Sequence, residues 1–279
     1  MKTVNILLAF TLTIIIQTTM AQTDSAGTKS KPQFKISANY NSHLNYYGRT
    51  DSLKSTGFFP VAEFWITPKF YVTAAPVFVN NALQSFAYAG TIATAGFLQS
   101  SEKWITNLYV TKPIYQEEAR LIQSALKAQS GISVSRLSKT INLTLGGDVK
   151  LSDQIDYGAT AGLDHLVRIE NKKGEIFIIN PSIYLFAGTQ NFSNTYNKKQ
   201  QGLLPFQNNT QQVTEEGQRF VMLASEVSVP LIFAKGKWMI LVTPSYILPQ
   251  NLVSIPGRPE ASEQGRNLFY ATTGIKYSF

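Results

Sequence analysis

Nine charged residues interrupt segments of this chain in which apolar side chains recur at every second position. They are Lys35, Glu63, Asp148, Lys150, Asp156, Asp164, Arg168, Glu226 and Lys276. In a β-strand, neighbouring side chains point to opposite faces, so these charges lie on the face opposite the apolar one. Charges that share an enclosed face can pair with each other, or they can line a water-filled path and set which ions enter it. Their mixed signs argue against strong ion selectivity.

Catalytic chemistry has few candidates in this sequence. The chain has only two histidines, His43 and His165. A serine hydrolase needs a serine next to a histidine that an Asn or Asp orients. Ser42 precedes His43, but neighbours in a strand point to opposite faces, so this pair has the wrong geometry. We expect both histidines to be interfacial or structural. The sequence predicts no enzyme, and a hydrolase built with partners from other strands stays a third alternative.

Metal and cofactor sites are not expected either. The chain has no cysteine, and two widely separated histidines do not suggest a dedicated metal site. Phosphate-binding loops, dinucleotide fingerprints and zinc-protease helices are not found in the sequence. The formal net charge is +8, but the basic residues are scattered, which argues against a nucleic-acid partner.

The C-terminal segment has one apolar and one small or polar face. Reading back from the end, the apolar face is Phe279, Tyr277, Ile275, Thr273, Ala271 and Phe269. The other face carries Ser278, Lys276, Gly274 and Thr272. A strand with lipid on one side and a lumen on the other needs this pattern. The chain here resembles the Gram-negative outer-membrane β-barrel proteins, whose last strand commonly ends in Phe. The resemblance implies that Phe279, Tyr277 and Ile275 form an assembly signal read by the barrel assembly machinery.

The N-terminal segment has the features of a secretory signal peptide. Lys2 precedes an apolar and threonine run from Ile6 to Ile16, and Thr19 and Ala21 are small residues before Gln22. We expect residues 1–21 to be a signal peptide, 22–33 a periplasmic tail and 34–279 the barrel. The apolar run is too short for a spanning helix, and later apolar stretches are shorter still. A membrane-spanning interpretation therefore requires a closed barrel.

Alternation and turn residues predict an all-β chain that forms a transmembrane antiparallel up-and-down barrel of about twelve strands. Ten or fourteen strands are also compatible with the length. An even number places both termini in the periplasm and the short turns beside them. With a less regular strand at 84–98 included, the predicted long connections all lie on the other side: 44–56, 113–129, 190–217 and 250–266.

Two features fit this regular pattern less well. Five prolines, Pro60, Pro76, Pro181, Pro230 and Pro244, fall inside predicted strands, where each should mark a bulge, a strand end or a kink. Residues 113–129 contain helical spacing, which predicts a short helix, either on the surface loop or folded into the barrel mouth as a plug.

These patterns leave several functions open. The first is a narrow porin-like channel for small solutes in the cell outer membrane, with selectivity set by the charges named above. The second is a non-conducting barrel whose outer loops bind a partner or ligand, and the third is the hydrolase. In each case we expect contact with outer-membrane lipid and lipopolysaccharide, and no cofactor.

Overall fold

Twelve β-strands account for most of the residues that a computed structural model of the protein describes, which are 31–50, 53–116, 121–192, 219–252 and 265–279. The expected signal peptide and most of 190–217 and 250–266 lie outside these residues. The strands are β1 (Gln33–Asn41), β2 (Thr56–Trp65), β3 (Phe70–Asn80), β4 (Ala87–Ser100), β5 (Trp104–Tyr115), β6 (Ala128–Arg136), β7 (Asn142–Leu151), β8 (Ile155–Asp164 and Val167–Glu170), β9 (Glu175–Ile179 and Ser182–Gly188), β10 (Val221–Ser228 and Leu231–Lys235), β11 (Trp238–Pro249) and β12 (Leu268–Ser278).

The sheet closes on itself. Each strand pairs antiparallel with the next, and β12 pairs with β1 from Lys35↔Ser278 to Asn41↔Thr272. Closure leaves no unpaired sheet edge, which is the condition for a sheet to lie in lipid. The predicted fold class, an all-β antiparallel barrel of twelve strands, is confirmed. The less regular predicted strand is β4.

The two faces of the wall differ as alternation predicts. Outward side chains along the closing strands are exposed and apolar, among them Ile36, Phe269, Ile275 and Phe279. Inward side chains are largely buried. Since large exposed apolar surfaces are unfavourable in water, the outer face forms a band suited to lipid.

The connections also differ between the two ends. Short turns at 66–69, 101–103, 137–141, 171–174 and 236–237 lie at the end that holds Gln33 and Phe279. We call this the terminal end. The connections at the opposite end, which we call the loop end, include 42–55 and 116–127. Within the described residues, no helix is long and apolar enough to cross a membrane.

Prolines mark irregular places in the wall. Pro181 and Pro230 lie in the breaks that divide β9 and β10. Pro60 and Pro76 lie opposite each other, where the β2–β3 ladder is interrupted between Phe58↔Phe78 and Ala62↔Ala74. Proline cannot donate a ladder hydrogen bond, which accounts for the interrupted pairing at these positions.

Strand β10 contains a bulge that reverses which of its side chains face inward and outward, and the alternation of the sequence does not reveal it. Alternation along 218–233 predicts that Val221, Leu223, Val227, Val229, Leu231 and Phe233 face outward and Glu226 inward. A register shift lies between Phe186 and Ala187, which pair with Ala224 and Met222, so Leu223 is the extra residue of a bulge. Leu223 is buried inside the barrel, and its outward assignment is wrong.

The segment 113–129 is mostly not helical. Strand β5 continues to Tyr115, and the helical part among the described residues is a single 3₁₀ turn, Ile122–Ala125. Residues 117–120 lie outside the described residues. Leu121 and Leu126, on either side of the turn, are buried against apolar clusters inside the barrel.

Candidate functional site

The connection between β1 and β2 turns inward and forms a small hairpin in the loop-end half of the lumen. Asn45–Tyr46 pairs with Arg49–Thr50, and Tyr47 and Gly48 make the turn with φ of 54° and 75°. The Gly48 N–H donates to Asn45 Oδ1 at 3.1 Å. A side chain at Gly48 would meet Pro249 at 2.8 Å, so glycine allows the turn to lie against the end of β11. We call residues 45–50 the inner hairpin.

Turn chemistry at the end of β1 directs the chain inward. The His43 N–H donates to Asn41 Oδ1 at 3.0 Å, and this hydrogen bond closes an Asx turn. The Ala271 N–H donates to Ser42 Oγ at 2.9 Å, which fixes the turn to the wall at β12. These bonds hold the start of the hairpin on the closing strand pair.

Arg49 anchors the inner hairpin and is fully buried, with 0% exposure. Its guanidinium donates to Gln190 Oε1 at 2.5 Å and to backbone carbonyls at 3.2 or 3.3 Å. The carbonyls belong to Tyr47, Leu223, Gln250 and Asn251. Because all of these acceptors except Tyr47 lie in or after β9, β10 and β11, the hairpin crosses the lumen from the β1–β2 side. A planar guanidinium with several fixed donors suits such a set of carbonyl oxygens.

Aromatic rings fill the space around the hairpin. The Tyr46 ring centroid lies 4.6 Å from that of Tyr47 and 4.7 Å from that of Phe192, in an edge contact with the latter. The Tyr47 centroid lies 5.4 Å from that of Phe186 on β9. Leu126, from the connection after β5, belongs to the same buried cluster. The hairpin is therefore packed into the lumen as a core element.

Charged residues from β7 support the hairpin from the opposite wall. Lys150 forms an ion pair with Asp148 and lies 5.7 Å from the Tyr47 ring centroid, where it also hydrogen-bonds the phenol. Burial raises the pKa of the Tyr47 phenol, and burial raises the pKa of Tyr46 well above its ordinary value. Both phenols therefore stay neutral at physiological pH.

Asp156 organises the chain after β9. Its Oδ1 accepts from Thr189 Oγ at 2.6 Å and from the Asn191 N–H at 2.7 Å. Its Oδ2 accepts from the Phe192 N–H at 2.8 Å. Asp156 therefore fixes residues 189–192, and it supports the inner hairpin indirectly because Phe192 packs on Tyr46.

A second charged group lies at the closing seam near the terminal end. Glu63 on β2 accepts two hydrogen bonds from Lys276 on β12, at 2.9 and 3.0 Å. Lys35 on β1 lies 3.9 Å from the same carboxylate, and Trp65 Nε1 donates to it at 2.8 Å. All three charged side chains are buried. The group links three neighbouring strands from inside.

The remaining predicted charges lie apart from these two groups. Asp164 accepts a 2.8 Å hydrogen bond from Asn142 Nδ2, and Glu226 is buried on the inner face of β10. Arg168 lies near the terminal end and pairs with Glu170 at 2.7 Å. The structure thus places Asp148, Lys150 and Asp156 around the hairpin and Lys35, Glu63 and Lys276 at the seam.

Neither histidine is placed at a catalytic hydrogen-bonding distance from a well-positioned serine nucleophile. Ser42 and His43 lie beyond the end of β1, so strand alternation does not separate them, and Ser42 Oγ is 3.4 Å from His43 Nδ1. This separation is longer than the usual hydrogen bond between a nucleophile and its base. His165 is exposed and contacts the Thr140 carbonyl. No cluster of three or more potential metal ligands occurs among the described residues.

Sequence reasoning missed the residues of the inner hairpin. The segment 44–56 was expected to be an outer loop, and its hairpin lies in the lumen instead. The signal was present as two tyrosines, a glycine and an arginine in an otherwise polar connection, at Tyr46, Tyr47, Gly48 and Arg49. Large aromatic side chains seldom remain in water-exposed loops without a partner surface.

A closed antiparallel barrel with an apolar outer band and a polar, charged interior defines the class of integral membrane β-barrel proteins. No protein-family model matches the chain, and a search of curated proteins found no match. Among solved structures, the chain is similar to the KdgM porin, with 8% identity and a TM-score of 0.49 over 88% of this chain and 99% of that one.

Two further barrels show the same level of likeness. An outer membrane channel from Pseudomonas putida F1 has 11% identity and a TM-score of 0.48 over 92% of this chain and 98% of that one. LpxR from Salmonella typhimurium has 10% identity and a TM-score of 0.46 over 87% and 99%. Likeness at this level does not select a function, and the fold assignment rests on the strand pairing itself.

Proposed function

We propose that this protein is an outer-membrane channel for small solutes, narrowed by the inner hairpin. The observation that carries the proposal is the anchoring of Arg49 to oxygens on β10 and on the segments that follow β9 and β11. A twelve-stranded wall encloses a lumen wide enough for a narrow path, since barrel width grows with strand number. A loop that folds into such a lumen sets the width of the path.

The charges that remain in the lumen favour weak ion selectivity. Positive and negative side chains are paired at both levels, with Lys150 beside Asp148 and Lys276 beside Glu63. Paired charges leave little net field to attract one sign of ion. The proposed solutes are therefore small and not selected mainly by charge.

Location and partners belong to the same proposal. The apolar outer band, the expected signal peptide and the closing strand that ends in Phe279 support insertion into the outer membrane by the barrel assembly machinery. Lipopolysaccharide and phospholipid would then contact the two halves of the band. The short turns and both described chain ends would face the periplasm.

The test is conductance in planar lipid bilayers. The wild-type protein should give discrete steps, and Arg49→Ala should enlarge them because the hairpin loses its anchor. Lys127→Ala is the matched control, since it removes one positive charge from the exposed pair with Asp153 at the loop end. Its steps should equal those of the wild type.

A non-conducting barrel is the second candidate, favoured by the dense packing around Tyr46 and Tyr47. Silence of the wild type, of Arg49→Ala and of a variant with residues 45–50 replaced by a short glycine-serine linker would establish this alternative and exclude the channel. The hydrolase is the third candidate and predicts phospholipid hydrolysis that is lost in His43→Ala.

A further inference from the structure

The terminal end of the barrel carries an excess of positive charge. The basic residues are scattered along the sequence, but each of the five short turns places at least one lysine at this end, namely Lys69, Lys103, Lys139, Lys172 and Lys237. Counted with one flanking residue on each side, the turns hold eight basic and three acidic side chains, and none of them is buried. We call the eight basic residues the basic rim.

A lysine followed by an outward aromatic residue recurs in the basic rim. The three pairs are Lys69 and Phe70, Lys103 and Trp104, and Lys237 and Trp238. In each pair the aromatic residue is the first of its strand, β3, β5 or β11, and its side chain is about half exposed on the outer face. Aromatic side chains of membrane barrels lie at the level of the lipid head groups. The neighbouring ammonium groups can therefore reach the lipid phosphates.

The arrangement around Trp104 brings two cations to one ring. Arg136 on β6 lies opposite Trp104 in the ladder, and its guanidinium carbon is 6.0 Å from the ring centroid. The Arg136 side chain is exposed and points outward, as does that of Ile132 on the same strand. The Leu137 N–H donates to the Lys103 carbonyl at 2.7 Å, which holds the two turns together. Two positive side chains thus flank an exposed ring at the border of the apolar outer band.

The charges beside Trp104 are not paired with carboxylates. Within the described residues, neither Lys103 nor Arg136 forms an ion pair. Lys235 lies opposite Trp238 in the ladder in a similar way, but it is paired with Glu175 at 2.6 Å. The site around Trp104 is therefore the part of the basic rim that is best suited to an anion.

The surroundings of this site indicate the chemical class of its ligand. Guanidinium and ammonium groups donate charge-assisted hydrogen bonds to phosphate oxygens. Leu108 and Ile132 face each other in the ladder on the outer face, between Trp104 and the loop end, and both are exposed. Acyl chains attached to the phosphate can lie on these apolar side chains. A head group with a net negative charge suits two cations better than a zwitterionic one, which brings its own positive charge.

We infer that Lys103, Trp104 and Arg136 form a binding site for an anionic phospholipid of the periplasmic leaflet. The phosphate lies between the two cations, the indole lies at the boundary of the head groups, and the acyl chains follow Leu108 and Ile132. The other residues of the basic rim attract the same class of lipid. This inference rests on the proposed insertion into the outer membrane, but it does not require the barrel to conduct.

Quenching of tryptophan fluorescence by brominated lipids tests the inference. The chain has three tryptophans, and Trp65 is buried on the inner face, so Trp238→Phe leaves Trp104 as the tryptophan that faces lipid. The Trp238→Phe barrel is placed in phosphatidylcholine vesicles that contain equal shares of either brominated phosphatidylglycerol or brominated phosphatidylcholine. The relative association constant should favour phosphatidylglycerol about fivefold or more, since one basic residue near an anionic surface contributes about 1 kcal/mol. High salt should reduce this preference.

Substitutions in the same background locate the effect. Lys103→Gln with Arg136→Gln removes both charges and should bring the preference close to one, whereas Lys103→Arg with Arg136→Lys keeps both charges and should preserve it. Lys54→Gln with Lys127→Gln removes two exposed charges at the loop end and is the matched control. Heat-modifiable gel migration verifies folding of each barrel. Equal quenching by the two lipids, or a preference that the glutamine pair leaves unchanged, would overturn the inference.

Two further measurements separate this inference from its alternatives. Peptidoglycan also carries carboxylates, so equal quenching together with co-sedimentation on purified peptidoglycan that the glutamine pair abolishes would assign the rim to the cell wall and exclude the lipid site. Conductance is measured on the same barrels. A silent barrel that prefers phosphatidylglycerol would support the lipid site and exclude the channel. A conducting barrel without the preference would support the channel and exclude the lipid site.

Discussion

The Lys276 ammonium donates to both carboxylate oxygens of Glu63, at 2.9 and 3.0 Å, and so joins the last strand to the second across β1. The two residues are 213 positions apart. Both are buried, and Lys35 lies beside them. The seam where the barrel closes is thus held from inside by charge as well as by the β12–β1 ladder.

Glu63→Gln should strongly destabilise the barrel. The substitution leaves two buried ammonium groups without their carboxylate, and breaking a buried pair from one side typically costs about 3–5 kcal/mol. The free energy of unfolding can be measured by urea titration with heat-modifiable migration as the readout. Glu175→Gln, in the exposed pair with Lys235, is the control and should change little. Equal effects of the two substitutions would contradict a structural role for the seam charges.

Tyr46→Phe and Tyr47→Phe should shift stability in opposite directions. The buried Tyr46 hydroxyl has no hydrogen-bond partner in the part of the chain that the structure describes, so its removal should gain about 1–3 kcal/mol, the usual penalty of an unsatisfied buried group. The Tyr47 hydroxyl bonds the Lys150 ammonium, and its loss should cost about 1.5–3 kcal/mol. Unfolding in urea measures both. A loss of stability in Tyr46→Phe would indicate that its hydroxyl is satisfied.

Asp156→Asn should loosen the inner hairpin indirectly. The amide keeps the shape but removes the charge and turns an NH2 donor toward at least one of the three donors, so at least one hydrogen bond is lost, at a cost of about 2 kcal/mol. Because Phe192 then packs less firmly on Tyr46, channel noise and step size should rise, but less than in Arg49→Ala. Asp153→Asn, in an exposed pair, serves as the control. Larger steps than those of Arg49→Ala would contradict an action through the loop.

Deletion of Phe279 should reduce the amount of folded barrel in the membrane. Its N–H donates to the Phe34 carbonyl at 3.0 Å, and its ring lies 5.5 Å from that of Phe34 and 4.9 Å from that of Tyr277. Those contacts fix the last residue to the closing strands, and the exposed ring is free to meet the assembly machinery. Phe269→Ala, on the same face at the other end of β12, is the control. Assembly of the deletion at the wild-type level would remove the proposed signal.

Sequence alone predicts the strands of the barrel wall much better than the segments and side chains that fill the lumen. The pattern of Phe34, Ile36 and Tyr40 identifies a strand because lipid requires apolar side chains at every second position. The same reasoning fails at Leu223, because a bulge inserts one residue into β10 and reverses which side chains face outward and inward beyond it. Pro181 and Pro230 indicate the breaks but not their alignment, which depends on register between strands.

The candidate site was only partly predictable for a related reason. Lys150 and Asp156 are recognisable as inward charges from local alternation. Arg49 is not, because its acceptors lie on residues that are distant in the chain. The inner hairpin is stabilised by tertiary contacts that leave no periodic trace in the sequence.

The distance along the chain between Arg49 and its acceptors has a consequence for biogenesis. The anchoring carbonyls and amide are 141 to 202 residues downstream. The inner hairpin therefore cannot dock until β9, β10 and β11 have joined the sheet, and ordering so long a loop is slow. The barrel must therefore pass through an assembly intermediate in which the wall is nearly complete and the hairpin does not yet narrow the lumen. During that interval the membrane would leak, so seam closure and docking of Arg49 would be under pressure to follow each other closely.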